Sequence, residues 1–153
     1  MGLVADSLDM LADSLVYGIS LFAVGATVAR KKNIAKIAGY FQIALAVLGF
    51  VEVNRRFFGV EEMPDFGMMI IVSILALTAN GFCLYLLQKS KSKEAHMQAS
   101  AIFTSNDVII NLGVITAGIL VYLFGSNKPD LLIGTIVFVV VIRGAMKILR
   151  LGK

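Results

Sequence analysis

Residues 99–124 read ASAIFTSNDVIINLGVITAGILVYLF, a run whose one charged side chain is Asp107. The run is longer than the roughly 20 apolar residues that an α-helix needs to cross about 30 Å of hydrocarbon. Comparable runs fill most of the remaining chain and leave no stretch for a water-soluble domain. They lie at residues 3–29, 34–58, 66–87 and 131–149. The sequence therefore predicts an all-α, multi-pass transmembrane helix bundle with five spans, forming one domain over residues 1–153.

The composition indicates a membrane protein rather than a soluble one. Hydrophobic residues make up 58% of the chain, charged residues 16%, and the mean hydropathy is +0.86. In a soluble domain of this length roughly a quarter of the residues are charged, because its surface must be wetted. The net charge of +4 does not indicate nucleic-acid binding, since the basic residues lie in short clusters between apolar runs. The single cysteine, Cys83, excludes a disulfide framework within the chain.

The basic clusters predict the orientation, because short loops rich in lysine and arginine stay on the cytoplasmic side. The residues expected on that side are Arg30, Lys31, Lys32, Lys36, Lys89, Lys91, Lys93, Arg143, Lys147, Arg150 and Lys153. Acidic residues offset Arg55, Arg56 and Lys128 on the opposite side. We expect a cytoplasmic C-terminus, an outer N-terminus, and a location in the plasma or inner membrane. We also expect one more helix upstream of Met1, because the chain opens without a basic leader.

Three aspartates share one face of the first span. At 100° per residue, Asp6, Asp9 and Asp13 fall within about 60° of one another. Each buried charge costs about 2.5 to 3.5 kcal/mol near a helix centre, and no span has a basic residue in its interior. Protons or a divalent cation must therefore neutralise these carboxylates. Asp6 is explained more simply as a charge at the outer interface that favours the helix dipole, which leaves Asp9 and Asp13 as candidate metal ligands.

A second polar cluster interrupts the span at residues 99–124. Asp107 is a fourth buried carboxylate, and Asn111 lies one helical turn further on the same face as Phe103. The Asn111 carbonyl oxygen is therefore an additional candidate ligand. Asn106 points about 100° away and is expected to contact a neighbouring helix. Polar residues also join transmembrane helices without a transport role, an alternative that stays open for Thr104, Ser105, Asn106 and Asn80.

Two of these stretches resemble a known family. Residues 3–13, LVADSLDMLAD, resemble the second transmembrane helix of the cation diffusion facilitators, in which His or Asp precedes a second Asp by four residues. Residues 103–115, FTSNDVIINLGVI, are similar to that family's fifth helix, and residues 128–130, KPD, resemble the start of its sixth. The resemblance implies helices two to six of a six-helix bundle. The first helix and the cytoplasmic metal-binding domain of the family are then missing from this chain.

The resemblance implies a divalent metal cation transporter, an antiporter that moves metal out of the cytoplasm in exchange for protons at a tetrahedral site near mid-bilayer. Asp9 and Asp13 match the family's first ligand pair, and Asp107 matches the second member of the second pair. Phe103 stands at the fourth ligand position and cannot coordinate a metal, so Asn111, Asn106 or water must complete any site. An oxygen-only ligand set leaves zinc, iron(II), manganese and cobalt open as the transported ion.

The missing ligand at Phe103 leaves a second interpretation, a degenerate, non-transporting membrane subunit or regulatory partner of the same fold. An enzyme is not expected, nor is a resident cofactor, because no nucleophile–base pair, phosphate loop or cofactor motif occurs. Dimerisation is common in the family, and here we expect any homodimer to form through membrane helices. His96, the only histidine, is expected to be a solvated loop residue.

Overall fold

All regular structure that the computed structural model describes, in residues 14–59 and 66–153, is helical. The helices are α1 (described over residues 14–22), α2 (Val28–Phe57), α3 (Phe66–Lys89), α4 (Ala95–Phe124) and α5 (Lys128–Leu151). Each of α2 to α5 is long and apolar enough to cross a membrane. The all-α, multi-pass helix bundle predicted from the sequence is thereby confirmed.

The limits of the first two spans differ from those expected from hydropathy. Residues 23–25 form a turn in which Gly25 adopts a φ of 81°, so α1 ends well before residue 29. Val28 begins α2 six residues before the expected residue 34, because the Thr27 hydroxyl accepts a hydrogen bond from the Arg30 backbone at 3.4 Å. The basic residues from Arg30 to Lys36 therefore lie in the first turns of α2 and not in a loop.

The limits of α4 are set by backbone geometry at both ends. Glu94 has extended backbone angles and precedes Ala95, so the helix begins four residues before the expected residue 99. Gly125 ends it in the left-handed conformation with φ 59°, and its N–H donates to the Val121 carbonyl at 2.9 Å. This capped helix is long enough to extend beyond the hydrocarbon layer, which brings its first turn to the membrane surface.

Among α2 to α5, α4 is the central helix. It packs against α2, α3 and α5, whereas α3 packs against α4 alone within this set. The most extensive contact within this set joins α2 to α5. The bundle therefore places one face of α4 among several helices, where its polar side chains are removed from lipid.

Close backbone approach holds α2 against α5. A Cβ atom at Gly39 would lie 2.7 Å from Leu149 Cδ2, and a Cβ atom at Gly134 would lie 2.8 Å from Val53 Cγ1. Between these two contacts the rings of Phe50 and Phe138 stack with centroids 4.5 Å apart. Inside a membrane the hydrophobic effect does not drive helices together, so their association depends on van der Waals packing. Small residues and ring stacking favour such packing.

Ionic contacts mark the two ends of the bundle. At one end the Lys31 ammonium donates to Glu94, and the Lys32 ammonium donates to the Lys153 backbone carbonyl at 3.2 Å. At the other end Arg56 Nη1 lies 3.5 Å from Asp130 Oδ2. The basic residues near the start of α2, the loop before α4 and the end of α5 thus meet at a single end.

Candidate metal centre

Two pairs of hydroxyl groups join α1 to α4, and we refer to these contacts as the hydroxyl seam. Ser20 Oγ and Ser100 Oγ are 2.7 Å apart, and the Tyr17 hydroxyl is hydrogen-bonded to Thr104 Oγ1. The Thr104 hydroxyl donates to the Ser100 backbone carbonyl at 2.9 Å, so the Tyr17 hydroxyl is the donor to Thr104. Hydroxyl groups away from water need such partners, and the pairing fixes the antiparallel register of α1 and α4.

Asp107 and Asn111 lie on the same side of α4 as the hydroxyl seam, further along the helix. Asp107 is 0% exposed and Asn111 is 7% exposed. The Asn111 Nδ2 atom has no hydrogen-bond partner in the part of the chain that the structure describes. The structure therefore places two of the four predicted ligands one turn apart on one buried helix face. A carboxylate at such depth in a membrane protein is typical of an ion or proton pathway.

The other two predicted ligands, Asp9 and Asp13, lie outside the described residues, as does Asp6. Among the side chains that are described, no group of three or more His, Cys, Asp or Glu residues is arranged to hold a metal ion. The described half of the predicted site thus consists of Asp107 and Asn111 alone.

Phe103, which stands where the resemblance requires a fourth ligand, is a core residue. Its ring is fully buried and belongs to an apolar cluster with Val16, Ala38, Ala99 and Ile148. These residues come from four different helices, so the phenyl ring fills the point where they converge. A side chain with no donor atom in this apolar environment cannot complete a metal site, as the sequence indicated.

Asn106 contacts a neighbouring helix, as its position on α4 predicted. Its Nδ2 atom donates to Gln42 Oε1 on α2 at 3.0 Å, and both side chains are buried. The amide also lies against Gly144 of α5, where a Cβ atom would come within 2.3 Å of Nδ2. Asn106 therefore joins three helices. Sequence reasoning missed Gln42, although a lone amide inside an apolar span signals such a partner.

Ser105 lies away from the hydroxyl seam. It lines a cavity of about 390 Å³ between α3, α4 and α5, together with Asn106, Gln88 and Lys147. Ser105 does not share the face that carries Asp107, because two residues that are two positions apart in a helix differ by about 200° in direction. The polar cluster of α4 is thus divided between the side that carries Asp107 and the side that carries Ser105 and Asn106.

His96 is not the solvated loop residue that the sequence suggested. It belongs to the first turn of α4 and is 0% exposed. Its Nε2 atom lies 3.7 Å from Glu94 Oε2, and neither ring nitrogen has a hydrogen-bond partner among the described residues. The expectation was wrong because α4 begins earlier than hydropathy indicates, which draws the imidazole into the bundle.

Comparison with known proteins covers nearly the whole chain. The family of cation efflux transmembrane domains matches residues 1–151. The chain is 30% identical over 164 positions to the zinc transporter ZitB of Yersinia pseudotuberculosis serotype I (strain IP32953), which covers 98% of this chain and 52% of that protein. It is 26% identical over 166 positions to the cadmium, cobalt and zinc/H(+)-K(+) antiporter of Bacillus subtilis (strain 168), with the same coverage of 98% and 52%.

A third relative, the zinc transporter ZitB of Escherichia coli (strain K12), is 25% identical over 163 positions, covering 98% of this chain and 52% of that protein. The chain spans about half the length of the curated relatives it matches. The family match includes all five helices and the buried Asp107. On this match, the chain belongs to the family of cation efflux transmembrane domains.

Proposed function

We propose that this chain is the membrane part of a divalent metal cation transporter that exports metal from the cytoplasm in exchange for protons. The single observation that carries the proposal is Asp107, a carboxylate fully buried on the face of α4 that the hydroxyl seam joins to α1. Such a group is costly in a membrane unless a cation or proton neutralises it. Membership of the cation efflux family supports the same conclusion.

The proposed ligands are Asp9, Asp13 and Asp107, with Asn111 or water completing the coordination. The register of the hydroxyl seam supports this set. Ser20 pairs with Ser100, and Tyr17, about one turn earlier in α1, pairs with Thr104, one turn later in α4. In the sequence, Asp13 precedes Tyr17 by four residues and Asp107 follows Thr104 by three, so both carboxylates continue the spacing of the paired hydroxyls.

Zinc is the first ion to test, because two relatives are named as zinc transporters and a third as a cadmium, cobalt and zinc antiporter. Carboxylate oxygens bind zinc at about 2.0 to 2.2 Å. Coupling to protons follows from the same groups, because a carboxylate must be deprotonated before it binds metal. Metal arriving from one side would release protons, and protons arriving from the other side would release metal.

The proposed orientation in the membrane rests on the charge distribution. The basic residues near the start of α2, before α4 and at the end of α5 meet at one end of the bundle, where Lys31 contacts Glu94 and Lys32 contacts Lys153. Short basic segments favour the cytoplasmic side, so this end and the C-terminus are proposed to face the cytoplasm. The centre of α4, with Asp107, then lies between the two membrane surfaces.

The test is zinc-driven proton movement in liposomes that contain the purified chain and a trapped pH-sensitive dye. Asp13→Ala and Asp107→Ala are each expected to lower the rate at least about a hundredfold, because every remaining ligand acts as part of a single site. Lys128→Gln is the control, since that lysine is exposed and should leave the rate unchanged. Undiminished flux in both alanine variants would reject the ligand assignment.

A second candidate function, a non-transporting membrane subunit or regulatory partner, is favoured by Phe103 alone. This residue places a fully buried phenyl ring where the family carries a ligand. The variant Phe103→His separates the two functions when zinc binding is measured by calorimetry. Tight binding by the unchanged chain favours the transporter, whereas binding that occurs only in the histidine variant favours the non-transporting subunit. A homodimer through the membrane helices is compatible with either function.

A further inference from the structure

The second feature of α4 that calls for an explanation lies at its first turn, about 16 Å along the helix from Asp107. There the side chains of Lys31, Glu94 and His96 meet, and we call them the α4-start cluster. The Lys31 ammonium donates to Glu94 Oε1, while Glu94 Oε2 lies 3.7 Å from His96 Nε2. The cluster joins the opening turns of α2 and α4, and the Glu94 side chain remains 46% exposed at its rim.

His96 is the unexplained member of the α4-start cluster. Its side chain is 0% exposed, and neither Nδ1 nor Nε2 has a hydrogen-bond partner among the described residues. A buried polar atom without a partner costs about 1 to 3 kcal/mol, so such atoms are rare and call for a reason. A positive imidazole would be fully buried near the Lys31 ammonium and the α4 N-terminus, and these effects oppose the attraction of the Glu94 carboxylate. The neutral imidazole is also the form that binds metals.

The separation of the two potential donor atoms fits a bound metal. A tetrahedral zinc ion holds nitrogen at about 2.0 to 2.1 Å and oxygen at about 2.0 to 2.2 Å, which places two ligand atoms about 3.4 Å apart. His96 Nε2 and Glu94 Oε2 are 3.7 Å apart, so a shift of a few tenths of an ångström brings them to that spacing. The Glu94 carboxylate already holds one cation, the Lys31 ammonium.

We propose that Glu94 and His96 form a second, separate binding site for a divalent cation, in which the metal displaces the Lys31 ammonium from the Glu94 carboxylate. Water supplies the remaining ligands from the exposed side of Glu94. Two protein ligands, opposed by the positive end of α4 and by Lys31, make the site weak and readily exchanged. The proposal does not depend on transport, because the site shares no residue with the proposed ligands around Asp107.

The test uses the fact that the sequence contains a single histidine. The chain is prepared without a tag, with an isotope label on histidine, and is placed in lipid nanodiscs. NMR then follows the imidazole resonances during titration with zinc, and these resonances report on this site alone. The unchanged chain is expected to give saturable shifts of the imidazole nitrogens. Glu94→Gln should weaken the apparent affinity at least about tenfold by removing a ligand. Lys31→Gln should strengthen it about two- to fivefold, the size of an exposed ion pair.

Two matched variants make the result specific. Lys32→Gln removes the neighbouring lysine, which contacts the Lys153 carbonyl instead, and should leave the titration unchanged. Asp107→Asn should also leave it unchanged while abolishing zinc-driven proton movement, so the two proposals fail separately. Absent imidazole shifts at zinc concentrations that saturate the rest of the chain would overturn the second site. Equal affinities for the unchanged chain and Glu94→Gln would overturn it as well.

Discussion

The helix pair α1–α4 and the helix pair α2–α5 are held together by different physical means. Hydroxyl pairs join α1 to α4, with Asp107 buried on the same side of α4. In contrast, α2 and α5 meet through glycine contacts and a stacked pair of phenyl rings, and the buried residues of α5 are all apolar. Hydrogen bonds can exchange partners with an ion or water, whereas close packing cannot. The polar α1–α4 contact therefore fits the proposed ion site, whereas the α2–α5 contact is closely packed.

The largest effect on stability is expected from Asp130→Asn at the end of the α2–α5 pair. Arg56 and Asp130 are both mostly shielded, with side chains 15% and 13% exposed, so the substitution leaves a guanidinium without its counter-charge. We expect the free energy of unfolding to fall by about 2 to 3 kcal/mol, measured by denaturant titration in detergent micelles. Lys128→Gln, on the same turn but exposed, is the control. Equal stability of the two variants would show that this ion pair does not hold α2 against α5.

The next effect is expected from Gly144→Ala, which tests the contact between α4 and α5. The new methyl group would lie 2.3 Å from Asn106 Nδ2, so the amide must move and weaken its hydrogen bond to Gln42. We expect a loss of about 1 to 2 kcal/mol, as for other overpacked sites, by the same unfolding measurement. Gly81→Ala on α3 meets nothing within 4 Å and should not destabilise the chain. A neutral Gly144→Ala variant would mean that the Asn106 contact is not tightly packed.

A smaller effect is expected in the hydroxyl seam. A double-mutant cycle with Tyr17→Phe and Thr104→Val isolates the hydrogen bond between these two side chains. The coupling energy should be about 0.6 kcal/mol, the average found for polar contacts between membrane helices. A coupling energy larger than the loss in free energy of unfolding caused by Gly144→Ala would contradict this order. The hydroxyl seam would then stabilise the bundle more than the close packing at Gly144 does.

The smallest effect is a pH dependence at the α4-start cluster. The hydrogen bond from Lys31 lowers the pKa of Glu94 below its usual value of about 4.3. The resulting stabilisation is present above the usual pKa and is lost as the pH falls through the lowered pKa. Thermal unfolding of the unchanged chain should therefore lose stability below about pH 4 relative to Glu94→Gln. Parallel pH profiles for the two proteins would show that the ion pair adds no stability.

Part of the candidate site could be read from the sequence, because a carboxylate inside an apolar run has few explanations in a membrane. Asp107 is buried as that argument required, and Phe103 lies in the core as a residue without donor atoms should. Gln42 escaped notice because one amide in a long apolar helix does not reveal which helix it meets. The environment of His96 was misjudged because hydropathy does not register the backbone angles of Glu94 that start α4.

The amino-acid sequence alone determined that the chain is a helical membrane bundle, since apolar runs of this length cannot be wetted and must satisfy their backbone hydrogen bonds internally. It also singled out Asp107 as a carboxylate inside an apolar run, and the structure buries that residue. Only the tertiary structure decided which partners these polar residues meet, because partners far apart in the chain, such as Gln42 and Asn106 or Tyr17 and Thr104, are set by helix packing. The meeting of Glu94, His96 and Lys31 was likewise decided by packing, since it depends on how α2 docks against α4.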